Sequence, residues 1–133
     1  MQINNLVVIV TFLALLLYFW TSLRVGAARQ KYGVAAPAIT GAPEFERALR
    51  VQMNTLEWLP LFLPSLWLFA FYWDPLVAAA IGSVWILARL IYAVTYVRNP
   101  ATRGPGFGLQ ALCTAVLLFG ALGKAAWLLA TKG

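Results

Sequence analysis

The chain has 133 residues, 62% of them hydrophobic and 11% charged, with a formal net charge of +6. A soluble domain is roughly half apolar and about a quarter charged, and so small a fold would leave broad greasy patches in water. The charges lie in short segments between apolar runs, which fits the positive-inside bias of membrane proteins and argues against a nucleic-acid surface.

The first apolar run, about Ile3 to Leu23, carries no charge until Arg24. Roughly twenty apolar residues are needed to cross a hydrocarbon core. The run has no basic start and no clear small-residue cleavage site, so a retained helix is predicted, with Asn4 and Asn5 as caps. A polar stretch follows from Arg24 to Ala42. Pro43 suits the first turn of a second helix, and Glu44 and Glu46 place negative charge at the positive end of its dipole. This helix is predicted from Pro43 to about Trp73, bent where Pro60 and Pro64 interrupt its hydrogen bonds.

Asp74 and Pro75 read as the N-cap and first residue of a third helix, which runs to about Val97 and is broken by Asn99-Pro100. Arg98 to Gly108 reads as a loop rich in Gly and Pro. The fourth helix extends from about Leu109 to Ala130, with Lys124 near enough to its far end to snorkel. The fold class is therefore all-α and integral to a membrane: a four-transmembrane-helix bundle forming one domain over residues 1–133.

Four spans leave both termini on one side. The first loop carries Arg24, Arg29 and Lys31, and the third carries Arg98 and Arg103, whereas the second has only Asp74. Loops one and three are thus predicted to be cytoplasmic, with Lys132 a minor dissent. Both a bacterial inner membrane and an endoplasmic-reticulum membrane fit; the compact length and lack of a retention tail favour the bacterial one.

Polar residues within the spans carry the functional signal. Arg50, Asn54 and Glu57, spaced i, i+4, i+7, form one stripe on the second helix, which Glu46 and Arg47 extend. Arg89, Tyr92 and Tyr96, spaced i, i+3, i+7, form another on the third. Counted from Asp74 at 1.5 Å per residue, Glu57 lies roughly 25 Å and Arg89 roughly 22 Å deep. Both fall in the inner third of a core about 30 Å thick. A charge there is costly unless paired or facing a polar cavity. One reading is a structural ion pair of Glu57 with Arg89 or Arg50. The other is a cytoplasm-facing polar pocket for an anionic, hydrogen-bonding guest. Tyr92, Tyr96, Trp58 and Trp73 also fit an interfacial belt.

Hydrolase and metal chemistry lack their residues. There is no histidine to partner Ser22, Ser65 or Ser83, and the lone Cys113 permits no internal disulfide. No metal site is expected from one Cys and four scattered acids. The glycine-rich Gly104-Pro105-Gly106-Phe107-Gly108 follows no strand and is a poor phosphate cradle.

The stretch Thr40-Gly41-Ala42-Pro43-Glu44-Phe45-Glu46-Arg47 resembles a characteristic segment of the MAPEG family, membrane proteins of eicosanoid and glutathione metabolism. The likeness continues through Arg50-Val51-Gln52-Met53-Asn54, Glu57-Trp58-Leu59-Pro60-Leu61-Phe62 and Ala88-Arg89-Leu90-Ile91-Tyr92, and it is closest to the branch of microsomal glutathione transferases and leukotriene-C synthase. The resemblance implies a homotrimer with glutathione sites between subunits near the cytoplasmic face. It implies glutathione as co-substrate and a hydrophobic electrophile arriving from the lipid. By position, Arg50, Asn54, Glu57, Trp58, Tyr92 and Tyr96 resemble glutathione contacts, while Arg29 and Gln52 resemble contacts from the adjacent subunit. Arg103 matches the family arginine that faces the thiol. Trp58 replaces a tyrosine and removes a hydroxyl; Gln30 replaces a second arginine after Arg29. The implied activity is conjugation of glutathione, with lipid-hydroperoxide reduction open to the same thiolate. The alternative within the family is lipid presentation without catalysis, as in the lipoxygenase-activating protein.

Overall fold

The computed structural model describes residues 4–132. Ile3, at the start of the first predicted span, lies outside the described residues. The chain forms α1 (Asn4–Tyr32), α2 (Pro43–Tyr72), α3 (Pro75–Arg98) and α4 (Gly104–Lys132), with a single 3-10 turn, Pro100–Thr102, before α4. All four helices are long and apolar enough to cross a bilayer, and the protein is a multi-pass integral membrane protein. α2 and α3 pack on each other and both touch α1 and α4, so they form the centre and the outer two helices flank them.

Between lipid-immersed helices there is little hydrophobic drive, and close packing by small residues takes its place. The buried face of α3 follows that rule: Ala78, Ala79, Gly82, Ala88 and Ala93 alternate with Trp85, Arg89 and Tyr92. At mid-bundle the Trp85 ring stacks on Phe62 at 3.9 Å, and its Nε1 donates to Thr114 Oγ1 on α4 at 2.9 Å. The large apolar side chains left exposed, such as Phe12, Phe19, Leu87, Leu112 and Phe119, face outward, as lipid contact requires.

Two helix ends differ from the sequence expectation. α1 continues about two turns past Arg24, to Tyr32. A charge ends an apolar run but not a helix, and Arg24, Ala27, Ala28, Arg29, Gln30 and Lys31 are mostly good helix formers. The helix stops where Gly33 supplies a positive φ of 67°. The Val34 N–H then donates to Arg29 O at 3.0 Å, which closes a Schellman turn. α4 begins at Gly104, within the segment expected to be a loop. Proline is tolerated in a first turn, whose N–H groups have no intrahelical partner. Gly106 is there for proximity. A Cβ on it would lie 2.7 Å from Tyr92 N and 2.9 Å from Ala88 O.

Other ends agree. Asp74 caps α3, its carboxylate accepting from Val77 N at 3.3 Å, with Pro75 as first residue. α2 stays helical through Pro60 and Pro64. Lys124 reaches the outer rim of the bundle, its ammonium 4.4 Å from the Trp73 ring centre.

Candidate functional site

The stripe on α2 divides into outward and inward groups. Arg50 and Glu57 are exposed on the surface of the bundle, and Asn54 between them is half-buried. Arg50 lines an open groove of about 440 Å³ with Thr40, Pro43, Glu46, Arg47 and Tyr96. That volume lies in the range of small-molecule sites. Glu46 and Arg47 already have partners: Glu46 Oε2 accepts from Gly41 N at 3.0 Å, and Arg47 Nη1 donates to Val97 O at 3.3 Å. The second contact ties the start of α2 to the negative end of the α3 dipole.

On α3, Arg89 is not paired with Glu57. Its guanidinium is buried and donates to Asn54 Oδ1 at 2.7 Å and Thr55 Oγ1 at 2.6 Å. The ion pair allowed by depth alone is therefore replaced by neutral acceptors on α2, and Glu57 is left facing outward. Tyr92 is buried against Val51 and Ala93, and its ring lies 5.4 Å from Tyr96 and 5.9 Å from Phe107. Trp58 packs edge-on against Phe107 at 5.5 Å. Tyr92, Trp58 and Phe107 thus bring α3, α2 and α4 together at this end of the bundle.

Arg103 is exposed and directly precedes α4. Its Nη1 donates to Pro100 O at 3.3 Å, and its carbonyl accepts from Phe107 N at 3.0 Å. The guanidinium and the positive end of the α4 dipole therefore coincide.

Arg29 and Gln52 sit apart from this group. Arg29 Nη1 donates to Ala38 O at 2.8 Å, and the guanidinium lies 4.9 Å from the Phe45 ring centre. Gln52 Nε2 donates to Ser22 Oγ at 3.0 Å and links α2 to α1. Within one chain these two residues belong to the α1 side of α2, not to the groove of Arg50.

A second groove, of about 620 Å³, is lined by Leu13, Leu16, Phe19, Trp20 and Leu23 of α1 with Ile86 and Leu90 of α3. α1 and α3 thus supply its two walls, while Trp127 of α4 lies beside Trp73 and Lys124 at the far end. Trp20 connects the two regions, since it also packs against the cluster of Val51, Tyr92 and Ala93.

Several buried polar groups were not foreseen, Thr55 and Gln110 among them. Thr55 looks like any helical threonine until Arg89 is found on it. Gln110 of α4 is fully buried with its amide N and O unpartnered; its only sequence signal was an amide inside an apolar run.

Comparison with known proteins bears on all of this. An uncharacterised protein of Synechocystis is 50% identical over 119 residues, covering 90% of this chain and 87% of its own. Microsomal glutathione S-transferase 2 of Homo sapiens is 43% identical over 105 residues, 78% of this chain and 71% of its own. Leukotriene C4 synthase of Bos taurus is 43% identical over 94 residues, 71% of this chain and 63% of its own. The sequence model of the MAPEG family matches residues 7–123, and with these relatives and this four-helix architecture the chain belongs to the MAPEG family.

Proposed function

We propose that the protein is a membrane glutathione transferase that joins the glutathione thiolate to hydrophobic electrophiles drawn from the lipid. It works as a homotrimer, with the recess between neighbouring subunits open to the cytoplasm. The observation that carries this reading is the outward stripe of α2. Glu57 is exposed at a position in the inner third of the bilayer, Arg50 is exposed near the interface at that end, and Asn54 lies between them; a carboxylate at the depth of Glu57 is costly against acyl chains. A neighbouring subunit and a zwitterionic guest remove that cost. In this reading Arg29 and Gln52, on the α1 side of α2, are the neighbour's contribution to the same recess.

Glutathione presents two carboxylates, an ammonium and a thiol. Arg50 and Arg29 hold carboxylates through paired hydrogen bonds, and Glu57 accepts from the ammonium. Tyr92 and Tyr96 close the side formed by α3. A free thiol near pKa 8.5 is only a few per cent ionised at neutral pH. Lowering it by two units requires about 2.7 kcal/mol of differential stabilisation. The Arg103 guanidinium at the positive end of α4 supplies it. The thiolate attacks the electrophile, forming a carbon–sulfur bond as the electrophile's leaving group departs or its strained ring opens. Against a lipid hydroperoxide the same thiolate attacks the outer peroxide oxygen, the O–O bond breaks to release the lipid alcohol, and the glutathione sulfenic acid so formed condenses with a second glutathione to give the disulfide and water. The apolar groove along α1 and α3 is the route for the lipid partner, and Trp20 brings it to the polar end.

The test is a titration of the purified protein with glutathione, following thiolate absorbance in the near ultraviolet, repeated with Arg103→Ala. The variant is expected to bind glutathione without the thiolate signal. An unchanged signal removes Arg103 from the chemistry; loss of binding altogether makes it a binding residue. The apolar groove alone would also suit lipid presentation without catalysis. Absence of conjugation with a generic aromatic electrophile, despite glutathione binding, would favour that second reading.

A further inference from the structure

A guanidinium carries donors only, and at Arg89 this fixes the orientation of a neighbour. Arg89 is 1% exposed. Its Nη1 donates to Asn54 Oδ1 at 2.7 Å and its Nη2 to Thr55 Oγ1 at 2.6 Å. Thr55 in turn donates its hydroxyl proton to Val51 O at 2.7 Å. Both roles of that hydroxyl are thereby used. The Asn54 amide has no equivalent alternative. A flip would set its NH2 against the guanidinium N–H groups and leave a buried charged donor unpaired.

The other end of the amide is free. Asn54 Nδ2 is not enclosed and has no hydrogen-bond partner among the described residues. Along α2, Asn54 stands between Arg50 and Glu57 at i, i+4, i+7 spacing. Resting on the glutathione reading above, we propose that Arg89 is a positioning residue that locks Asn54 as a donor-only contact and so selects a guest carboxylate at this point of the recess. The guanidinium itself never meets the guest. It acts through the amide, and its charge, lying behind Asn54, further favours an anion over an ammonium.

The experiment is isothermal titration of the purified full-length protein with glutathione and with its two monoesters, each blocking one carboxylate. The wild type should bind glutathione at least tenfold more tightly than one of the esters. Asn54→Asp keeps an oxygen toward Arg89 but turns a second, charged oxygen to the recess. It should bind glutathione at least tenfold more weakly and lose the preference for acid over that ester. Arg89→Met frees the amide and should cut the same preference several-fold, with Arg89→Lys restoring part of it. A merely structural Arg89 would weaken all three ligands alike and leave the ratio unchanged. An unchanged ratio in Asn54→Asp overturns the proposal even where Arg89→Met fails to fold. A wild type that binds no glutathione sinks the functional reading itself, and this inference with it.

Discussion

Gly106→Ala adds one methyl group at the tightest helix crossing of the site. The new Cβ would meet Tyr92 N at 2.7 Å, Ala88 O at 2.9 Å and Tyr92 Cα at 3.0 Å. All three are backbone atoms of α3, so no rotamer change relieves the clash. Ordinary contact needs about 3.5 Å, so α4 must move from α3 by about 1 Å. Overpacking of this kind costs about 1–3 kcal/mol, and the upper end applies when neither neighbour can yield. Gly108→Ala is the matched control. A Cβ there meets nothing within 4 Å, and the better helix former should stabilise α4 by up to about 1 kcal/mol. Unfolding in mixed micelles titrated with denaturing detergent, followed by tryptophan fluorescence, should place the two variants on opposite sides of the wild type. Phe107 rests on Tyr92 and Trp58, so the Gly106 variant should also weaken glutathione binding. Equal stability of the two variants would refute the close-approach account of Gly106.

Thr55→Val and Thr21→Val are isosteric changes at two buried threonines. The first leaves Arg89 Nη2 without its acceptor and should cost about 1–3 kcal/mol, whereas Thr21 bonds only Tyr18 O in its own helix; equal losses in the same unfolding assay would contradict the clamp. Trp85→Phe removes the bond to Thr114 and also empties part of a fully buried site, and should lose more than about 0.6 kcal/mol, the usual worth of an interhelical hydrogen bond in a membrane. Asp74→Ala removes the α3 cap. A loss of about 1 kcal/mol and faster amide exchange in the first turn of α3 are expected, with glutathione affinity unchanged because the cap lies at the opposite end of the bundle from the stripe.

The spans and the Asp74-Pro75 turn were legible because bilayer thickness and cap chemistry act on neighbouring residues. The missed ends fail for one reason: a residue type was read without its position. Arg24 marks where α1 leaves the apolar layer, yet the helix ends eight residues later at the conformation only Gly33 supplies readily. The glycines and proline of 104–108 read as breakers, but they open α4 and let it touch α3. The stripe of Arg50, Asn54 and Glu57 was visible because i, i+4, i+7 is a property of one helix. The partner of Arg89 was not. Spacing put Glu57 at its depth, but the direction of approach gave it Asn54 and Thr55. Likewise nothing in the spacing joins Gln52 to Ser22 or Arg29 to Ala38.

The two sides of α2 solve the problem of polarity in an apolar medium differently. Facing α3, Thr55 and the Asn54 oxygen satisfy Arg89, and facing α1, Gln52 meets Ser22. These contacts join the helices and answer most of the polar groups within the chain, although Arg89 Nε is buried without a hydrogen-bond partner among the described residues. The outward groups, Arg50, Glu57 and the Asn54 nitrogen, add nothing to that cohesion, and Glu57 would burden an isolated bundle in lipid. A bundle selected only for stability would carry leucine at position 57, whereas an arginine at position 50 also suits the interface. On the proposed function the stripe is accounted for by what it meets outside the chain, and Asn54, anchored on Arg89 on one side, is the proposed link between the internal polar network and the guest.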